Sequence, residues 1–325
     1  MLKFSPLKMA ALLAAVCIFG STLPASAAES AAAAEPAAAA KAAAEGSAYS
    51  RKGADTCINC HEDEALMHVF RTPHGAPNDP RSPFGKGQLQ CEACHGPGDA
   101  HARGKGKNRP DMIDFGKGST TPVAKQNSMC LACHQKDASH WNVGAHARND
   151  VGCADCHDSH AKQDPMKAAL TQQDTCGTCH QAQTAGQHLP YRHPTAEGKM
   201  ACTSCHAPHG SPNPAMLTKT NSVETCTTCH SDLRGPFAWE HQPVTEDCAT
   251  CHAPHGSINP SMLKARGPFQ CQQCHQASGH PSLAYGSNNL PGRGTASVYV
   301  VAGNCLNCHS AVHGSNHPSG AKLMR

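Results

Sequence analysis

The sequence predicts a chain of mostly irregular loops with short α-helices and little or no β-sheet, wrapped around groups that are not amino acids. Three observations carry this. The 24 prolines and 28 glycines fall at most candidate element edges and cut the chain into short pieces. Aromatic residues make up only 4% of the 325 residues and hydrophobic ones 39%, many of them cysteine or N-terminal alanine, so side chains alone cannot fill a core. Finally, 20 of the 21 cysteines fall into one motif, CxxCH, which occurs ten times.

The copies are Cys57/Cys60/His61, Cys91/Cys94/His95, Cys130/Cys133/His134, Cys153/Cys156/His157 and Cys176/Cys179/His180, followed by Cys202/Cys205/His206, Cys226/Cys229/His230, Cys248/Cys251/His252, Cys271/Cys274/His275 and Cys305/Cys308/His309. In such a motif two thiols can add to the vinyl groups of a haem while the adjacent histidine supplies the first axial ligand to iron. Disulfide frameworks and zinc ribbons also use CxxC pairs, but neither demands a histidine after every second cysteine. The expectation is therefore a multihaem cytochrome c whose core is ten haem c groups. The polypeptide, at roughly 30 residues per haem, does little more than wrap them.

The N-terminus has its own character. Lys3 and Lys8 precede an apolar run from Met9 to Leu23, and Ala25-Ser26-Ala27 follows, which reads as a signal peptide over residues 1–27 cut after Ala27. Cys17 follows Val16 inside the apolar run, so it reads as an apolar filler and not as a lipid-bearing cysteine. No other stretch supplies the about 20 apolar residues that span a bilayer. The expected location is the periplasm. Residues 28–48 form an alanine-rich leader, broken by Pro36, that reads as a flexible tether. The formal charge of +3 loses Lys3 and Lys8 with the signal. Each ferric haem with two ionised propionates adds about one negative charge, so the loaded protein is anionic and nucleic acid is not an expected partner.

Residues 49–325 form the haem domain, in which the motifs group in five pairs of one grammar: CxxCH, a free histidine, CxxCH, a second free histidine. The clearest copies are Cys202 to Leu217 (CTSCHAPHGSPNPAML) and Cys248 to Leu263 (CATCHAPHGSINPSML), with Cys153 onward (CADCHDSHAKQDPM) a degraded third. A Gly/Lys-rich insert, Gly104 to Asn127, stretches the first pair, and a Gly/Ser loop, Gly286 to Thr295, the last. Ser297 to Val301 is the one strand-like run.

Ten motif histidines leave fourteen of the 24, enough for ten second axial ligands. A saturated iron has no vacant position for substrate, whereas a catalytic haem keeps one open. The grammar selects His74, His101, His146, His160, His193, His209, His241, His255, His280 and His313 as distal ligands, with His68, His140, His188 and His317 surplus. Pro73-His74-Gly75 matches the Pro-His-Gly around His209 and His255, which favours His74 over His68; His313 and His317 compete for the last place. Which distal histidine serves which motif is not readable. Met216 and Met262 recur at one place in two repeats, and with Trp141 and Trp239 they read as packing residues.

From Tyr49 to Arg325 the chain resembles the periplasmic decahaem cytochromes of outer-membrane porin–cytochrome conduits. The resemblance rests on Ser50 to Cys60 (SRKGADTCINC), Gln90 to Pro97 (QCEACHGP), Arg234 to Cys251 (RGPFAWEHQPVTEDCATC), Gln270 to His275 (QCQQCH) and Cys305 to Gly320 (CLNCHSAVHGSNHPSG). It implies an elongated, wire-like protein inside an outer-membrane β-barrel porin, meeting an extracellular multihaem cytochrome, mineral or iron on one side and a periplasmic or inner-membrane cytochrome on the other. Members carry electrons outward to metal oxides or dimethyl sulfoxide, or inward from ferrous iron. The expected role is thus an electron carrier and not an enzyme. A soluble periplasmic shuttle is the alternative, and a multihaem reductase with an open iron a third reading, which the absence of any CxxCK disfavours.

Overall fold

The computed structural model describes residues 48–107, 112–275 and 304–324. The signal segment, all of the leader but Ala48, His280, the Gly/Ser loop and the run Ser297 to Val301 lie outside the described residues.

Every motif is one helical turn. In all ten copies the histidine N–H donates to the carbonyl of the first cysteine at 2.9 to 3.1 Å. Residues three and four apart share one helix face, so this bond holds two thiols and an imidazole together. The two-motif grammar is visible in how the turn is built. The first motif of each pair ends an α-helix: Ala54–Ile58, Val123–Leu131, Ala169–Gly177, Ser222–Cys226 and Gly267–Gln272. The second motif of the last four pairs sits on a bare 3-10 turn: Cys153–Asp155, Cys202–Ser204, Cys248–Thr250 and Cys305–Asn307. The first pair departs, with Glu92–His95 a short α-helix. The expected Gly/Lys-rich insert is partly helical, since its last residues, from Val123, begin the helix of the third motif.

Among the described residues there are no strands, only four isolated bridges: Tyr191 to Ser257, His206 to Leu217, Trp239 to Ser315 and His252 to Leu263. The side-chain core is as thin as the composition demands. Buried hydrophobic residues are Ala54, Val69, Ile113 and Trp141, and no large side chain among the described residues is fully buried. Buried polar groups clip the pieces together instead. Asn127 lies on the third motif's helix; its Oδ1 accepts from Cys153 N at 2.8 Å and its Nδ2 donates to Val151 O at 3.3 Å. Gln172 plays the corresponding part in the next pair, accepting from Thr203 N and donating to Met166 O. In the first pair Glu92, only 4% exposed, accepts from Ser50 N at 3.0 Å, Ser50 Oγ at 2.8 Å and Gly98 N at 2.7 Å. A buried charge with all its lone pairs engaged is tolerable where an unpaired one is not.

Adjacent pairs meet at the His-Gly of the second motif's loop. Gly210, Gly256 and Gly314 have φ of 107°, 130° and 135°. A Cβ there would stand 2.2 Å from His140 O, 2.0 Å from Gly186 O and 2.3 Å from the Phe237 ring, each in the preceding pair or its connection. Glycine is required on both counts. At two of these junctions the next residue forms a reciprocal bridge: Ser257 with Tyr191, at 3.1 and 2.8 Å, and Ser315 with Trp239, at 2.9 Å both ways. Gly75 is different: it lacks a positive φ, and its constraint comes from Val69 O within its own loop.

Candidate haem sites

Nine of the ten motif histidines face one of the histidines expected as distal partners, with ring centres 5.8 to 6.4 Å apart. The pairs are His61 with His101, His95 with His160, His134 with His74, His157 with His209, His180 with His146, His206 with His255, His230 with His193, His252 with His313 and His275 with His241. The partner expected for His309, namely His280, lies outside the described residues. His317 is otherwise engaged, its Nδ1 accepting from Ser319 N at 3.1 Å, which settles the choice of facing ring for His252 in favour of His313. Among the described residues His68, His140 and His188 face no motif histidine; His68 Nε2 lies 3.9 Å from Glu64.

The pairing follows a rule that sequence reasoning did not find. A free histidine following an odd-numbered motif faces the motif two places ahead; one following an even-numbered motif faces the motif two places back. Only His101, which turns back to the first motif, breaks it among the described pairs. Every junction between neighbouring pairs is therefore crossed twice, in opposite directions. Hydrogen bonds reinforce this reciprocity. His146, His193 and His241 donate Nδ1–H to Pro208 O, Pro254 O and Val312 O at 2.9 to 3.0 Å, the carbonyl just before the histidine that crosses the other way.

Those acceptors also fix the tautomer. A carbonyl can only accept, so Nδ1 carries the proton and Nε2 keeps its lone pair. His95, His206, His252 and His309 do the same to Ile113 O, Ala215 O, Ser261 O and Lys322 O at 2.7 to 2.9 Å. Two motif histidines meet carboxylates instead: His157 with Asp164 at 2.7 Å and His134 with Asp137 at 3.2 Å. Burial, and then the facing imidazole, push the pKa of His74, His160, His255 and His313 below the usual histidine range, which favours the neutral, ligating form. Trp141 stacks edge-on against His209 and Phe115 against His95.

The cysteines record the order of the sites. Within pairs the first cysteines touch: Cys57 with Cys91, Cys130 with Cys153, Cys176 with Cys202, Cys226 with Cys248 and Cys271 with Cys305. In four of the five pairs the shared proton splits the two thiols, raising one and lowering the other. The bond to Cys176 lowers Cys202 to about 6, and the bonds from Cys153 and Cys226 lower Cys130 and Cys248 to about 7. Between pairs the second cysteines approach: Cys94 near Cys133, Cys156 near Cys179, Cys205 near Cys229 and Cys251 near Cys274. The motifs thus follow one another in space in chain order.

The tenth motif differs from the other even-numbered ones at its second cysteine, Cys308. It is exposed, and the structure does not bring it to another motif's thiol among the described residues. The second cysteines of the other even-numbered motifs, Cys94, Cys156, Cys205 and Cys251, lie near the second cysteine of the motif that follows. The second cysteines of the odd-numbered motifs, Cys60, Cys133, Cys179, Cys229 and Cys274, are all exposed. What ties Cys308 to its site is its own turn, through its N–H to Cys305 O at 3.2 Å and the neighbouring His309 N–H to the same carbonyl at 2.9 Å. Of the tenth site, then, the described residues include Cys305, Cys308 and His309, while His280 lies outside them.

Two nitrogens bound on opposite sides of one metal, with bonds of about 2 Å and about 1 Å more to each ring centre, put the rings about 6 Å apart. The observed separations match, and each motif turn carries two cysteines beside its histidine, so the residues present fit haem c. Repeated CxxCH turns, short helices and no strand among the described residues define a multihaem c-type cytochrome. Its doubled-CXXCH family matches residues 193–235 and 241–280, framing the sixth with the seventh motif and the eighth with the ninth, one motif out of phase with the pairs used above. An NrfB-like cytochrome c-type family matches residues 91–174. The chain is 49% identical over 280 residues to the multiheme cytochrome MtrA of Shewanella baltica, covering 85% of this chain and 83% of that one, and it belongs to that family. It is also 36% identical over 144 residues to the cytochrome c-type protein NrfB of Haemophilus influenzae, and 29% over 133 residues to that of Escherichia coli, covering 63% and 65% of those proteins. The chain is therefore a multihaem electron-transfer protein that binds haem c through its CxxCH motifs.

Proposed function

We propose that this protein carries ten haem c groups, each held between two histidines, and conducts electrons across the outer membrane between periplasmic and extracellular redox partners from within a β-barrel porin. The observation that carries the reading is the set of nine facing imidazole pairs, each with an Nε2-ligating geometry on the sides where the tautomer is fixed. Bound haem supplies one-electron chemistry. What the chain supplies is order, since the motif turns succeed one another from first to last, and occupancy of both axial positions, which leaves no place for substrate. Electron transfer without a protein-built active site follows, with any metal reduction or iron oxidation passing over the haem edges.

A porin sheath suits a chain with so few buried apolar side chains. A closed barrel has an apolar exterior and a polar interior and can shield such a surface from lipid. Among the described residues no helix is long and apolar enough to cross a membrane. The test has two parts. Electron paramagnetic resonance of the oxidised protein, with haem quantified, should give ten low-spin haems; a substantial high-spin fraction would return the enzyme reading. Affinity purification from outer membranes should bring a β-barrel protein, and its absence would leave the soluble shuttle.

A further inference from the structure

The degraded copy of the second-motif loop is not simply decayed. The position seven residues after the motif histidine is Asn213 after His206 and Asn259 after His252, but Asp164 after His157. In the two asparagine copies the chain turns through left-handed residues, Ala215 and Ser261 at φ 50° and 56°. That turn aims their carbonyls at His206 and His252 at 2.9 and 2.8 Å, while each asparagine Nδ2 ties the loop's end at Leu217 O and Leu263 O. In the aspartate copy the left-handed turn is missing and the methionine stands one place earlier, at Met166. The Met166 carbonyl is taken by Gln172 at 2.9 Å. Asp164 fills the gap: Oδ2 accepts from His157 at 2.7 Å and Oδ1 from Met166 N at 2.9 Å.

We infer that Asp164 is a redox-tuning residue, one that makes the fourth haem site the most electron-rich of those described and sets a low-potential step between its neighbours. The inference rests on His157 being an axial ligand. A carboxylate draws the Nδ1 proton more strongly than a carbonyl does, so Nε2 becomes a stronger donor and favours the ferric over the ferrous ion. No bond is made or broken as the iron gains its electron; the proton stays shared between Nδ1 and Oδ2. The carboxylate has the standing to do this. It is only 19% exposed, and among the described residues no lysine or arginine lies within 4 Å to neutralise it. Asp137 offers the third site a weaker version, at 3.2 Å and 73% exposed.

The test is a redox titration of the intact holoprotein and of Asp164→Asn, which keeps the size and one acceptor while removing the charge. At a fixed potential near the negative end of the titration, the oxidised-to-reduced ratio of one tenth of the haem should fall about tenfold, equivalent to about 59 mV for one electron. The other nine tenths should stay in place. Asp158→Asn is the control, because the Asp158 carboxylate caps the same loop through His160 N and Ala161 N, whereas the His157 Nδ1 bond goes to Asp164. An unmoved titration for Asp164→Asn, or an equal shift for Asp158→Asn, overturns the inference. Should Asp164→Asn load fewer than ten haems, Asp137→Asn decides: a smaller shift of the same sign in another tenth supports the inference, and none overturns it. Failure of the underlying ligand reading would look different, as high-spin iron in the unmutated protein.

Discussion

Replacing Gly256 with alanine separates two costs that the junction between repeats combines. The backbone there has φ of 130°, which an L-residue adopts at about 1–3 kcal/mol. The new Cβ would also stand 2.0 Å from Gly186 O, so two main chains must part by more than an ångström. Overpacking of that kind costs about 1–3 kcal/mol more. Gly87→Ala isolates the first cost, since its φ is 83° with nothing within 4 Å of the added methyl. With a guanidinium slope of about 4 kcal/mol/M, an excess of about 2 kcal/mol for Gly256→Ala becomes a midpoint about 0.5 M lower than that of Gly87→Ala. Haem absorbance reports the unfolding, and the high-spin electron paramagnetic resonance signal reports whether His255 has been pulled from its place opposite His206. Equal midpoints for the two variants would refute the view that close backbone approach at His-Gly holds neighbouring pairs together.

Three further outcomes are expected. His313→Ala should turn one tenth of the iron high-spin while His317→Ala leaves the spectrum unchanged; the reverse would reassign the ligand. Glu92→Ala strands the donors of Ser50 and Gly98 and should lower stability by about 2–4 kcal/mol, with limited proteolysis near Ser50 increasing, because each buried unpaired donor costs about 1–3 kcal/mol. Asn127→Ala and Gln172→Ala should each cost about 1–3 kcal/mol. Because the two clips belong to different pairs, the double variant should equal the sum to within about 0.5 kcal/mol; a midpoint well off that sum would mean that the pairs are energetically coupled through these clips.

The sequence made the motifs, their two-beat rhythm and the nine described histidines that face motif imidazoles legible because each repeats with a local signature. Pro-His-Gly was recognisable as a string, but its reasons were not: the proline carbonyl receives an imidazole from another pair, and the glycine admits another pair's backbone. The pairing of facing rings stayed hidden for the same cause, since His74 reaches His134 and His160 reaches His95 past nearer motifs in the chain. Local spacing carries no information about which module lies alongside, and so it did not show which second cysteines approach one another across a junction. Asp164 was visible only as a departure from its two sister loops, and that departure read as decay until the hydrogen bond to His157 gave it a purpose. The clips Glu92, Asn127 and Gln172 were not singled out from the sequence, because a polar side chain carries no local sign that it is buried.

The reciprocal crossing of histidines also has a meaning in time. A chain delivered N-terminus first presents His74, His146, His193 and His241 before the motifs they face, so the third, fifth, seventh and ninth motifs find a partner already waiting. The even-numbered motifs must wait: His95 for His160, His157 for His209, His206 for His255 and His252 for His313, each arriving after two more motifs have emerged. Growth therefore always leaves one unfinished site behind the leading edge, and His252 is completed only by His313, close to Arg325. A chain cut after any of the first four pairs leaves His95, His157, His206 or His252 without the ring that faces it.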